Sequence, residues 1–101
     1  MKKNLYSIYD KAVGSYMNPL VCINDAEAIR LFTTFVNEDN PQSNLANYPE
    51  QFAMWRIGTM DDESSTLEVD QKELITGNSV VTPKETFQIE DIINMVKEKL
   101  K

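Results

Sequence analysis

The sequence predicts an α+β fold: a ββαββ antiparallel sheet covered by one helix, with an additional amphipathic helix at the C-terminal end. Three observations predict it. Runs rich in aromatic and branched residues come in two pairs, 5–9 with 16–23 and 52–60 with 66–70, each pair joined by a polar turn. Between the pairs, residues 25–36 carry apolar side chains at helical spacing. A second helical stripe, Ile89, Ile92, Ile93, Val96 and Leu100, comes last. The 101 residues read as a single domain, 1–101, with a core over 4–81 and the terminal helix at about 83–100. A domain of this size buries about two-thirds of the surface its unfolded chain exposes, so a real core is within reach.

The elements are justified one by one along the chain. Leu5-Tyr6-Ser7-Ile8-Tyr9 reads as a strand, with Tyr6 and Ile8 on one face and Leu5, Ser7 and Tyr9 on the other. Residues 10–15 are a turn in which Gly14 supplies a positive φ. The returning run covers 16–23, and Pro19 marks it as an edge strand or as one that starts near Leu20. Asn24 is the expected N-cap of the first helix, with Glu27 three residues on. Ala28, Ile29, Leu31, Phe32, Phe35 and Val36 form a broad apolar stripe, and the polar run up to Pro41 ends the helix near Asn37. The connection 38–51 has room for one helical turn around 43–47. In the strand 52–60, strict alternation sets Ala53, Trp55, Ile57 and Thr59 against Met54, Arg56, Gly58 and Met60. Residues 61–65 turn the chain, 66–70 return it, and 79–81 are expected as a short fifth strand. Ile29, Phe32, Val36 and Ile57 are the expected centre of the core. Thr82-Pro83-Lys84-Glu85 is a helix start: a capping threonine, proline at the first position, glutamate at the third.

Composition narrows the function. The absence of histidine removes Ser-His-Asp and Cys-His nucleophile systems and imidazole-based zinc sites. One cysteine allows no intrachain disulfide and no CxxC site, and Cys22 in an apolar strand reads as structural. There is no glycine-rich phosphate loop. The acids Asp61, Asp62, Glu63, Glu68 and Asp70 lack the spacing and glycine of a calcium loop and read as a solvated hairpin turn. No catalytic residue, metal ligand or cofactor is expected, and the chain reads as a non-enzyme. No run approaches the ~18–20 apolar residues that span a bilayer. The segment 4–11 after Lys2 and Lys3 is too polar and too short for the apolar region of a signal peptide. A protein that stays in the cytoplasm, without membrane contact, is the expectation.

The net charge of −6 is uneven: residues 1–24 carry a local +2, 25–81 a local −8, and 82–101 balance. Nucleic-acid binding needs clustered cations, so the acidic middle works against it and only local patches remain. Aromatic rings on a sheet stack unpaired bases, at about 1–3 kcal/mol per base. Tyr6, Tyr9, Tyr16 and Trp55 are candidate stacking rings, and Lys2, Lys3, Lys11, Arg30 and Arg56 candidate phosphate contacts. The plainer reading packs these rings as core. Whether the five cations converge on one face separates DNA binding from protein contact. The terminal stripe either covers its own sheet or pairs with a partner chain, which leaves a homodimer open.

One resemblance adds to this reading. Leu5-Tyr6-Ser7-Ile8-Tyr9-Asp10, then Gly14 and Pro19-Leu20-Val21, begin it, and Asn24-Asp25-Ala26-Glu27-Ala28-Ile29-Arg30-Leu31-Phe32 continues it. Leu45-Ala46-Asn47-Tyr48-Pro49-Glu50-Gln51-Phe52 and Trp55-Arg56-Ile57-Gly58-Thr59-Met60-Asp61-Asp62 complete it. Over roughly residues 4–70 the chain resembles the small nonstructural protein of gokushoviruses, single-stranded-DNA phages of the microvirus family (Microviridae). The resemblance implies an early-acting bacteriophage protein of the host cell cytoplasm. It implies DNA binding, or help in shifting DNA replication toward single-stranded DNA for packaging. Single-stranded DNA and the phage replication or procapsid proteins are the implied partners. An adaptor that touches those proteins without direct DNA contact fits the acidic composition as well.

Overall fold

The structure, a computed structural model, describes residues 1–82. The expected terminal helix at 83–100 lies outside the described residues. Five strands form one antiparallel sheet: β1 (Lys2–Asp10), β2 (Ser15–Tyr16), β3 (Leu20–Cys22), β4 (Phe52–Asp61) and β5 (Leu67–Thr76). β1 lies between β4 and an interrupted edge made of β2 and β3, and β5 forms the opposite edge beyond β4. The interruption falls before Leu20, where Pro19 has no N–H to give a ladder. Gly14, at φ +79°, closes the turn between β1 and β2, with its N–H donating to the Asp10 carbonyl at 2.8 Å.

Helix α1 (Asp25–Val36) begins as its sequence dictates, with Asn24 Oδ1 accepting from the Glu27 N–H at 2.9 Å. It lies across one face of the sheet. Ala28, Phe32 and Val36, one turn apart, are buried there against Tyr6, Ile8, Phe52 and Met54. A fully buried side chain such as Phe32 contributes about 1.5–3 kcal/mol in transfer free energy. Ile29 is only half-buried, so the buried stripe is narrower than expected. A short α2 (Asn44–Asn47), capped by Ser43, and a 3₁₀ turn (Pro49–Gln51) fill the connection to β4.

Three further features depart from the sequence reading. β5 runs to Thr76, well past the expected 70, and is followed by a helical turn α3 (Gly77–Val80) instead of a fifth strand at 79–81. Strict alternation fails in β4. Tyr6 pairs with Arg56 and Leu5 with Gly58, so Ile57 is the extra residue of a bulge. The bulge reverses the parity beyond it. Thr59 joins Arg56 and Met54 on the α1 side, and Ile57 is half-buried instead of central. Gly58 is dictated by close approach, because a Cβ there would overlap the Glu68 carbonyl oxygen.

Asn37, the C-cap of α1, fastens the far end of the fold. Its Nδ2 donates to the Thr33 and Val80 carbonyls, both at 2.8 Å. Its Oδ1 accepts from the Thr82 N–H at 2.9 Å and hydroxyl at 3.0 Å. Among the described residues no helix is long and apolar enough to cross a membrane.

Candidate nucleic-acid interface

The sheet has one face covered by α1 and one that α1 leaves open, and the pleat distributes seven of the nine candidate residues between them, Arg30 lying on α1 and Lys11 in a turn. Tyr6 falls on the covered face, with no exposed surface, and its hydroxyl donates to Asp25 Oδ1 at 2.8 Å. Burial, reinforced by that carboxylate, pushes the Tyr6 hydroxyl far above the usual tyrosine range. Tyr6 is therefore a core residue and not a stacking ring, a correction to the sequence reading.

Arg56 lies on the same covered side, half-buried. Its Nη1 donates to Asp25 Oδ2 at 2.7 Å, and its Nε lies 3.1 Å from Asp70 Oδ2 without hydrogen-bond alignment. It locks the start of α1 to β5, with both neighbouring charges already engaged. Lys2 lies 3.5 Å from Glu68 on the same side, and Arg30 is exposed on α1. Lys2, Arg30 and Arg56 thus sit away from the open face.

That face holds Tyr9, Tyr16 and Trp55. Tyr9 faces Tyr16 across the ladder, and Ser7 faces Trp55. The Tyr9 and Tyr16 rings lie 4.8 Å apart at 50°, and Tyr16 and Trp55 meet at 6.0 Å and 87°, an edge-to-face contact. Tyr16 is the most open of the three at 42%. Trp55 Nε1 is hidden from solvent and has no acceptor among the described residues. Lys11 comes directly after β1 in the turn, and Lys3 lies on the open face at the other end of β1, roughly 20–25 Å along the strand. The five cations do not converge.

The remaining polar features are structural. The Asp61 carboxylate accepts from the Glu63 N–H at 2.9 Å, and Asp62 holds the terminal ammonium at 2.9 Å. Among the described residues no group of three His, Cys, Asp or Glu is placed to hold a metal ion. Cys22 is buried in the core, and its thiol is pushed up by burial and by Glu27. A polar cleft of about 530 Å³ opens between Asn24, Asp25, Arg56, Thr59 and Asp70. Two carboxylates already hold its only cation, so it offers an incoming anion little.

The aromatic trio was legible as residue types, but its assembly was not, because the Tyr9–Tyr16 pairing depends on where the turn sets the register. No curated protein and no solved structure matches the chain. A family model described as "Phage ORF5 protein" matches residues 3–81, which span all of the sheet but Lys2, together with α1 and α3. The chain belongs to the phage ORF5 protein family.

Proposed function

We propose that this phage protein is a non-enzymatic accessory factor of a gokushovirus-like single-stranded-DNA phage. It supports single-stranded-DNA synthesis or packaging in the host cytoplasm and touches single-stranded DNA weakly. The observation that carries the DNA contact is the Tyr9–Tyr16–Trp55 group on the open face, with Lys11 two residues after Tyr9 in the exposed turn. Stacking is tolerant of sequence, because every base has a π-face, and favours unpaired strands. The acids Glu68 and Asp70 face the other way, toward Lys2 and Arg56, but Glu73 lies opposite Trp55 on the open face, so only part of the chain's negative charge is turned from the trio.

Few phosphates are engaged. With Lys11 and Lys3 the reachable cations, the slope of log K against log salt is about −1 to −2 on single strands. Titration of fluorescent single-stranded DNA at about 50 and 150 mM salt tests this. Lys11→Ala flattens the slope, whereas Tyr16→Ala weakens binding equally at both salts. Absence of binding at about 50 mM salt and 100 μM protein defeats the reading.

The failure of the cations to share one face favours a second reading: an adaptor of the phage replication or procapsid proteins without DNA contact. Binding of those purified proteins, undiminished by Tyr16→Ala and by nuclease, distinguishes it.

A further inference from the structure

The aromatic end of the open face also carries a carboxylate. Across β2, β1, β4 and β5 the ladder sets Tyr16 opposite Tyr9, Ser7 opposite Trp55, and Trp55 opposite Glu73. Residues directly opposite in an antiparallel pair share a face, with Cβ atoms about 4.5–5.5 Å apart. Glu73 therefore stands next to the indole, one strand further from Tyr16, and it is exposed. It differs from the other acids of β5. Glu68 is paired with Lys2 and Asp70 with Arg56, whereas among the described residues no cation or hydrogen-bond donor engages Glu73. Its neighbour Lys72 stands opposite Arg56, on the α1 side.

Stacking alone does not choose among bases. A carboxylate beside the rings does, because it repels phosphate and accepts only from donors, and bases differ in their donors. Thymine's Watson–Crick edge has a single N–H between two carbonyl oxygens, which a carboxylate repels. Guanine's has N1–H and N2–H side by side, matched to the two oxygens of one carboxylate. Cytosine and adenine each offer one amino group beside a ring-nitrogen acceptor, an intermediate case. Lys11 and Glu73 also lie apart: Lys11 follows Tyr9 past the end of β1, and Glu73 is two strands over, beyond Trp55. A nucleotide whose phosphate meets Lys11 lays its base over the rings with the edge remote from the sugar turned toward Glu73.

We infer that Glu73 makes the aromatic group selective for guanine in unpaired strands, its carboxylate accepting from N1–H and N2–H of a guanine stacked on Trp55. The inference rests on the DNA reading of the same group and names the base that group prefers.

Titration of the full chain with three fluorescent octanucleotides tests it, in about 50 mM lithium salt so that guanines do not assemble into four-stranded structures. One strand alternates thymine and guanine, the second has hypoxanthine in place of guanine, and the third is all thymine. Hypoxanthine keeps N1–H and the fused ring and lacks the 2-amino group. The guanine strand binds about fivefold more tightly than the all-thymine strand, with the hypoxanthine strand between them. Glu73→Ala brings the three together by weakening the guanine strand, while the all-thymine strand binds as well or better once a charge that repels phosphate is gone. A merely structural role for Glu73 moves all three strands in one direction, and that result overturns the inference. Glu73→Gln, which keeps the size and presents only one acceptor oxygen, also abolishes the preference. Equal binding of the three strands by the parent overturns the inference and leaves the DNA reading standing. Absence of binding to any strand defeats that reading and the inference with it. A guanine preference that survives both Glu73 variants overturns the inference as well.

Discussion

Replacing Phe32 and Ile29 separately by alanine probes how α1 sits on the sheet. Helical spacing makes the two residues equal members of one stripe, whereas in the structure Phe32 has no exposed surface and Ile29 is half-buried. Phe32 packs in the cluster with Tyr6, Ile8 and Met54, side chains held by strands that cannot close in on a void. Phe32→Ala therefore costs about 3–5 kcal/mol, the lost transfer energy plus the unfilled cavity. Ile29→Ala removes fewer buried atoms and opens to solvent, so about 1–2 kcal/mol is expected. Urea unfolding followed by Trp55 fluorescence measures both, at one fixed protein concentration so that any self-association weighs equally. With a slope near ~1 kcal/mol/M, the Phe32 variant loses roughly 3 M or more in midpoint. If Phe32→Ala does not fold, Phe32→Leu gives the same ordering at smaller amplitude. A loss below about 1 kcal/mol at Phe32, or an equal loss at Ile29, would show that α1 turns a different face to the sheet.

The Tyr6 hydroxyl gives a spectroscopic test: on alkaline titration followed by tyrosinate absorbance, Tyr6 stays protonated until the protein unfolds, and Tyr6→Phe removes that late step. Because its folded pKa lies above the unfolded one, the associated stability is complete below about pH 10 and declines as pH rises above it, by about 1.4 kcal/mol per unit. Tyr6→Phe removes both that decline and a hydrogen bond to a carboxylate, at a cost of about 1–2 kcal/mol near neutrality. Cys22, buried and with its thiol raised, reacts with a thiol reagent near pH 8 roughly tenfold or more faster in denaturing urea than in the native protein, and equal rates would contradict its burial. Asn37→Ala frees the Thr82 amide, which then exchanges with deuterium as an unprotected one does, and lowers stability by about 1–3 kcal/mol.

What the sequence made legible was local. Asn24 with Glu27, Gly14 and Pro19 each act within a few residues, and each does in the structure what its chemistry requires. What it hid was settled at a distance. β5 beyond Asp70 reads as too polar for a strand, because Gln71-Lys72-Glu73 has no apolar residue, yet Lys72 and Glu73 pair with Arg56 and Trp55 of β4. The bulge at Ile57 is signalled in the sequence by Gly58 alone, whose consequence for which side Thr59 faces depends on the pairing with β1. Among the candidate site residues, types were readable and partners were not. Arg56 looked like a phosphate contact until Asp25, far away in sequence, arrived beside it. Alternation set Tyr6 and Tyr9 on opposite faces, but which of the two α1 would cover was settled only by the packing.

The two margins of the sheet are unlike, and this bears on how the protein behaves when crowded. One margin, β2 and β3, is broken before Leu20 into pieces of two and three residues, so it offers an incoming strand no continuous template. The other, β5, is one strand of ten residues, irregular where its register with β4 shifts, and bears charges at Glu68, Asp70, Lys72 and Glu73. A building block with one usable margin behaves like a chain terminator in polymer growth: whatever joins it along that side presents no second side for the next arrival. Strand-by-strand elongation into fibres is thereby halted at the first addition.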